Sequence, residues 1–104
     1  MDQEGAPPGF TATPEADGSQ LRVVVSGEVD MATADAMVQA ATADGATEVT
    51  LDLRQVTFFD SAAIHAVLGL AQRYPTGLTV IPSHQVRRVL EISGLGDQPW
   101  LSSS

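Results

Sequence analysis

The segment Phe58-Phe59-Asp60-Ser61-Ala62-Ala63-Ile64 decides the fold, because it joins a predicted strand to a predicted helix. The strand, Val49 to Leu53, alternates apolar and polar residues, and the helix, Ser61 to Arg73, has apolar residues at helical spacing. Asp60-Ser61 occupies the place of an N-cap, where side-chain oxygens accept the free N–H groups of the first turn. The junction is therefore either a simple cap or a serine presented at a surface. A phosphate there would be stabilised by the helix dipole and the free amides.

Strands and helices alternate on both sides of this junction, in the order strand, strand, helix, strand, helix, strand, helix. This order predicts an α/β domain with right-handed crossovers and a mostly parallel sheet, with one antiparallel strand at the N-terminal end. The other predicted elements are a short edge strand at Phe10–Thr13 that Pro14 ends, a strand at Leu21–Ser26 with Val23–Val25 buried on both faces, a helix carrying Ala34, Met37, Val38 and Ala41, a strand at Leu78–Ile81, and a helix carrying Val86, Val89 and Leu90.

Turn and cap residues bound these elements. Asp17-Gly18 predicts a hairpin with a long loop between the first two strands. Asp30 or Thr33 is expected to cap the first helix, and Gly94 to take the left-handed position after the last one. Trp100-Leu101 is expected to fold back onto the core. That core is predicted to contain Val23, Val25, Val49, Leu51, Leu53, Ile64, Val67 and Leu68, so that Leu68→Ala is expected to cost about 2–5 kcal/mol.

The composition indicates one small domain. The chain has 104 residues, which suits a single domain over residues 9–101, preceded by a disordered segment at 1–8 and followed by a tail at 102–104. It has no cysteine, no secretory signal and no apolar run near the roughly 20 residues of a membrane span, so we expect a cytoplasmic protein. The net charge is −8 and all five basic residues are arginine, which argues against binding nucleic acid or an anionic membrane.

Enzyme and cofactor sites find little support in the residues. Ser61 and His65 share a helix face, but no Gly-x-Ser-x-Gly elbow is present and no separate acid is placed to orient the imidazole. Two histidines without cysteine make a poor metal set, and the glycines form no dinucleotide-binding pattern. We therefore expect no enzyme activity, no metal and no cofactor.

Three segments, in this order and at this spacing, resemble landmarks of the STAS domain. They are Gly27-Glu28-Val29-Asp30, the segment from Leu51 to Ser61, and the segment from Val86 to Leu95. The similarity covers about residues 9–101 and is greatest to the bacterial anti-sigma factor antagonists, also called anti-anti-sigma factors. The resemblance implies a single STAS domain with a mixed four- to five-stranded sheet and three or more helices.

The resemblance also implies a function. Such proteins bind an anti-sigma factor, often a serine kinase with a histidine-kinase-like ATPase fold, and thereby free a sigma factor. The kinase inactivates the antagonist by phosphorylating the serine after the motif aspartate, here Ser61 after Asp60, and a phosphatase reverses this. The sequence departs from the family motif at Ala63, where a glycine is usual, and at His65. We expect the interface to lie at the loop from Asp30 to Thr33 and the first turn of the Ser61 helix, because both follow strands at the same edge of the sheet. The expected partner-binding residues are Asp30, Met31, Thr33, Asp60, Ser61, Ala62, Ala63 and His65.

Two other classes of function stay open. One is a STAS module that binds a small ligand or nucleotide, and the other is a protein-interaction scaffold whose serine is never phosphorylated. For the antagonist, Met31→Arg and Ala63→Arg are expected to abolish partner binding with little change in thermal stability.

Overall fold

The computed structural model describes residues 9–43 and 45–102. The segment expected to be disordered, 1–8, and the last two residues of the expected tail lie outside this range. The elements are β1 (Phe10–Asp17), β2 (Gln20–Val29), α1 (Ala34–Thr42), β3 (Glu48–Phe59), α2 (Ser61–Arg73), β4 (Leu78–Pro82) and α3 (His84–Ile92). They build one four-stranded sheet in the order β1-β2-β3-β4. Because only the β1–β2 pair is antiparallel, the predicted mixed α/β fold is confirmed.

The core lies on one face of the sheet. Alternate residues of the parallel strands point into it, and the buried residues of all three helices belong to the same cluster. Val23 and Val25 are fully buried, whereas Val24 points to the opposite face and is half-buried. The prediction that Val23–Val25 is buried on both faces is therefore wrong, because α1, α2 and α3 all pack on the face to which Val23 and Val25 point.

Helix α2 buries a slightly different stripe from the one predicted. Ala63, Val67 and Leu70 are its buried residues. Ile64 and Leu68 were expected in the core, but they are partly exposed and pack against it from the side. The remaining predicted core residues, Val23, Val25, Val49, Leu51, Leu53 and Val67, are confirmed as buried.

All four strands are longer than predicted, β3 by the most. β1 runs through Pro14 to Asp17. β1 is an edge strand, and an edge strand tolerates a proline on its open side, where no ladder hydrogen bond is lost. The predicted long hairpin loop is a two-residue turn in which Gly18 adopts φ 65°. β3 continues to Phe59, six residues past its predicted end at Leu53. The predicted turn before α2 is thus reduced to Asp60 alone.

The C-terminal part of the chain is fixed to the sheet and to α3, as predicted for Trp100-Leu101. Trp100 is buried in the core cluster, its carbonyl accepts from the Val80 amide at 2.8 Å, and the Ser102 amide donates to the Val80 carbonyl at 2.8 Å. Gly94 has φ 81°, as expected after a helix. The Gly94 and Leu95 amides donate to the Glu91 and Leu90 carbonyls, which is a Schellman cap.

Candidate functional site

The carboxyl ends of β2 and β3 lie side by side. Val29 and Phe59, the last residues of the two strands, are register partners. The Asp60 amide donates to the Val29 carbonyl at 3.4 Å. The segment after β2 and the first turn of α2 therefore emerge at the same edge of the sheet, which is the usual place for a site on an α/β sheet.

The turn after β2 is held by its own side chains. The Asp30 carboxylate accepts from the Ala32 amide at 2.9 Å, and the Thr33 hydroxyl lies 2.9 Å from the Glu28 carbonyl oxygen, to which it donates. The same hydroxyl accepts from the Asp30 amide at 2.9 Å. Thr33 stands at the N-cap position of α1, but its side chain makes no capping bond, so neither predicted residue caps this helix through its side chain.

At the start of α2, Asp60 is the cap and Ser61 is the first helical residue. Asp60 has an extended backbone, and its carboxylate accepts from the Ala63 amide at 3.1 Å. Ser61 is exposed, and its hydroxyl has no hydrogen-bond partner among the residues the structure describes. The capping role thus belongs to Asp60, which leaves the serine hydroxyl accessible to other chemistry.

The exposed side chains at this edge include one that sequence reasoning missed. Met31 is 84% exposed, Ser61 and His65 are exposed, and Ala62 is half-buried. Phe58, the residue before the last one of β3, is 45% exposed. The signal for Phe58 was available, because adjacent residues of a strand point to opposite faces and Phe58-Phe59 could not both enter the core.

Two expected partner-binding residues are inside the protein. Thr33 is 4% exposed and Ala63 is completely buried. Ala63 contributes to the core, so its methyl group does not face a partner. The expectation that Ala63→Arg leaves stability nearly unchanged is therefore wrong, because the variant would place a guanidinium in the packed interior.

The edge carries negative charge. Glu28, Asp30 and Asp60 lie at the ends of β2 and β3, and neither 28–33 nor 58–65 contains an arginine. The described residues include no group of three or more acidic or histidine side chains able to hold a metal ion. A surface cavity of about 340 Å³ lies elsewhere, around Tyr74 and Thr47, and includes none of the expected partner-binding residues. Among the described residues, no helix is long and apolar enough to cross a membrane.

Comparison with known proteins identifies the family. The family model described as "Mlab, STAS domain" matches residues 12–102. An anti-sigma factor antagonist from Mycobacterium paratuberculosis is similar in structure, with a TM-score of 0.79 and 30% identity over 95% of this chain and 90% of that one. The phosphorylated form of the Bacillus cell fate determinant SpoIIAA gives 0.64 and 25%, covering 89% and 88% of the two chains. Unphosphorylated SpoIIAA gives 0.69 and 24%, covering 89% and 85%.

No curated protein matches significantly. The family match and the structural similarities agree with the mixed α/β sheet. The chain belongs to the STAS domain family, among the anti-sigma factor antagonists. The resemblance stated from the three sequence segments is thereby confirmed, and members of this family are typically not enzymes.

Proposed function

We propose that this protein binds an anti-sigma factor of the serine-kinase type and thereby frees a sigma factor, and that phosphorylation of Ser61 ends the interaction. The observation that carries the proposal is the exposed Ser61 hydroxyl, which has no partner among the described residues and lies at the same sheet edge as Met31. The proposed contact residues are Asp30, Met31, Phe58, Asp60, Ser61, Ala62 and His65.

The apolar side chains supply the reason for binding. Met31 and Phe58 are two of the three large apolar residues exposed on the described surface. The two residues belong to the same edge of the sheet. Phe58 pairs with Glu28 near the end of β2, and Met31 follows Val29, the last residue of β2, by two positions. Two large apolar groups at one edge favour a protein partner, because burying them removes apolar area from water.

The local structure explains how phosphorylation would act without unfolding the domain. Within residues 9–43 and 45–102, the Ser61 side chain makes no hydrogen bond that a phosphate would break. The amides of Ser61 and Ala62 are the two first-turn donors that the Asp60 side chain does not use. A phosphate there would gain from the helix N-terminus. In a complex, the same dianion beside Asp60 would have to lose its water, which is costly unless the partner supplies a cation.

The test uses each purified anti-sigma kinase of the source organism with ATP and magnesium, followed by phosphopeptide mapping and a binding measurement. We expect the kinase to place phosphate on Ser61. The Ser61→Ala variant should bind the anti-sigma factor normally and should keep this binding after treatment with kinase and ATP. The Ser61→Glu variant should bind more weakly. Ser93→Glu is the matched control, because Ser93 is an exposed serine at the far end of α3. Failure of every anti-sigma factor to bind would contradict the proposal. Binding without phosphate on Ser61, together with full binding by Ser61→Glu, would leave an antagonist that is not switched at this residue.

A further inference from the structure

His65 stands one turn after Ser61 on the exposed side of α2. Ser61 is the first residue of this helix, His65 follows it by four positions, and both residues are exposed. Side chains four positions apart lie on the same face of a helix, and each side chain leans toward the helix N-terminus. The imidazole of His65 therefore leans over the turn from which the Ser61 hydroxyl projects.

The His65 ring is not engaged by the rest of the domain. Within residues 9–43 and 45–102 it makes no hydrogen bond and no ion pair. The other residues one turn away from it on the helix are Ala62, Leu68 and Gly69, none of which carries a charge. The ring is therefore free to contact a new group attached to Ser61.

The charged side chains that surround this turn are acidic. Asp60 caps α2, and Glu28 and Asp30 lie at the end of β2, next to the end of β3. Asp35 lies in the first turn of α1, which packs against α2. A phosphate on Ser61 would add to this negative charge, so a cation beside it would relieve the repulsion.

The cations of the neighbouring elements lie elsewhere. On α2 itself, Arg73 is in the last turn. On β3, which also packs against α2, Arg54 lies before the last turn of the chain into α2 and is bound to Asp52. His84, the second of the two histidines, begins α3. The imidazole of His65 is thus the group placed to bring a positive charge to the start of α2.

We propose that His65 is the cationic partner of a phosphate on Ser61, and that it holds this phosphate over the first turn of α2 as an imidazolium. The inference rests on the proposed phosphorylation of Ser61 and assigns His65 as the residue that positions its product. A hydrogen bond between an imidazolium N–H and a phosphate oxygen is charge-assisted at both ends and hence strong. The phosphate has further oxygens for the free amides of the turn, so both interactions can form together.

The pairing would make the phosphorylated state depend on pH. Phosphoserine loses its second proton at about pH 6, and histidine is the side chain that ordinarily changes its charge between about pH 5 and pH 8. An imidazolium favours the dianion, so it lowers the pKa of the phosphate. It offsets only part of the phosphate charge of about −2, and Asp60 adds a further negative charge. The turn therefore stays anionic, as the proposed inactivation requires.

A phosphoprotein made without a kinase tests the role of His65. Phosphoserine is inserted at position 61 of the full chain during translation, and its phosphate is titrated by phosphorus NMR at low ionic strength, where the pair is least screened. We expect the pKa of the phosphate to be at least about 0.3 lower with His65 present than in His65→Gln, which corresponds to an ion pair between helix neighbours. The acidic neighbours are the same in both proteins, so the difference reports on the imidazole.

Two further variants separate charge from structure. His65→Arg keeps a cation at this position at every pH, and it should lower the pKa of the phosphate at least as much as His65 does. His84→Gln is the matched control, because it removes the other exposed histidine, and it should leave the pKa of the phosphate within about 0.1 of the unsubstituted phosphoprotein. Positions 65 and 84 are both exposed, so the variants should melt at nearly the same temperature.

Equal phosphate pKa values in the unsubstituted phosphoprotein and in His65→Gln would overturn the inference. A normal, unlowered value in His65→Arg would also overturn it, as would a change of the same size in His84→Gln. No kinase takes part in this titration, so its outcome is independent of the phosphopeptide mapping. Absence of phosphate on Ser61 in that mapping would contradict the proposed switch, whereas equal pKa values in the titration would contradict the role of His65 alone.

Discussion

The environment of Asp52 lowers the pKa of its carboxyl group, and the stability of the fold therefore depends on pH. Hydrogen bonds from the Arg54 guanidinium, supported by Arg22 and opposed by burial, lower the pKa of Asp52 to about 2. A carboxyl whose pKa is lower in the folded than in the unfolded chain stabilises the fold above the unfolded pKa, about 3.9. That contribution is lost as the pH falls through the folded value.

We expect the Asp52 contribution to lower the free energy of unfolding by about 2 kcal/mol as the pH falls from about 5 to about 2. Asp52→Asn should be less stable than the unmodified protein at pH 7 and should show a shallower decline over this range. Urea unfolding at a series of pH values measures both curves. Parallel curves for the two proteins would contradict the assignment of the shift to the Arg54 and Arg22 contacts.

Met31 tests the proposed anti-sigma site at the level of one side chain. Because it is 84% exposed, Met31→Arg should leave the melting temperature nearly unchanged while reducing affinity for the anti-sigma factor by at least about tenfold. Ile92→Arg is the matched control, with an equally exposed apolar residue on α3, and should bind normally. Equal loss of binding in both variants would place the partner on another surface, and isothermal titration calorimetry distinguishes the outcomes.

At the scale of elements, the orientation of α2 decides which leucine matters. Leu70 is 1% exposed, whereas Leu68 is partly exposed at the side of the core. We therefore expect Leu70→Ala to cost about 2–5 kcal/mol of stability and Leu68→Ala clearly less. Chemical denaturation of the two variants gives the comparison directly. A greater loss of stability for Leu68→Ala than for Leu70→Ala would mean that α2 is rotated about its axis, with Leu68 facing the core.

The sequence predicted the bounds of α2 correctly but not its orientation, and the reason is physical. Asp60 and Tyr74-Pro75 mark the helix ends through local chemistry, the N-cap and the restriction before proline. The helix is apolar over a wide arc, so both the stripe through Ile64 and Leu68 and the stripe through Ala63 and Leu70 fit helical periodicity. Contacts with the rest of the fold choose between them, and a single sequence does not contain those contacts.

The strands illustrate the same limit. β3 alternates cleanly only as far as Leu53, because its pairing with β2 shifts register between Val24 and Ser26 and again after Gly27. Each shift breaks the period of two that sequence analysis detects. The position of Ser61 next to the end of β2 followed from strand order alone, whereas the burial of Ala63 required the tertiary structure.

At the scale of the whole molecule, Trp100 connects the end of the described chain to the sheet. Its ring is buried and its carbonyl accepts from the Val80 amide. Trp100→Ala should lower the free energy of unfolding by about 3–5 kcal/mol, because it removes a large side chain from the core. Guanidinium unfolding measures the loss, and Ile92→Ala, at an exposed site, should stay within about 0.5 kcal/mol of the original. Similar values for the two variants would show that the Trp100 contact contributes little.

The backbone contacts of Val80 have a consequence for behaviour in concentrated solution. On β4, the outward amide and carbonyl of Val80 are bonded to Trp100 and Ser102, and on β1, the other outer strand, Pro14 has no N–H to offer. Unpaired strand edges are the templates on which sheets extend into fibrils. Both outer strands are interrupted in this way, so the domain resists polymerisation through its edges, and contacts between molecules are directed to its faces and strand ends.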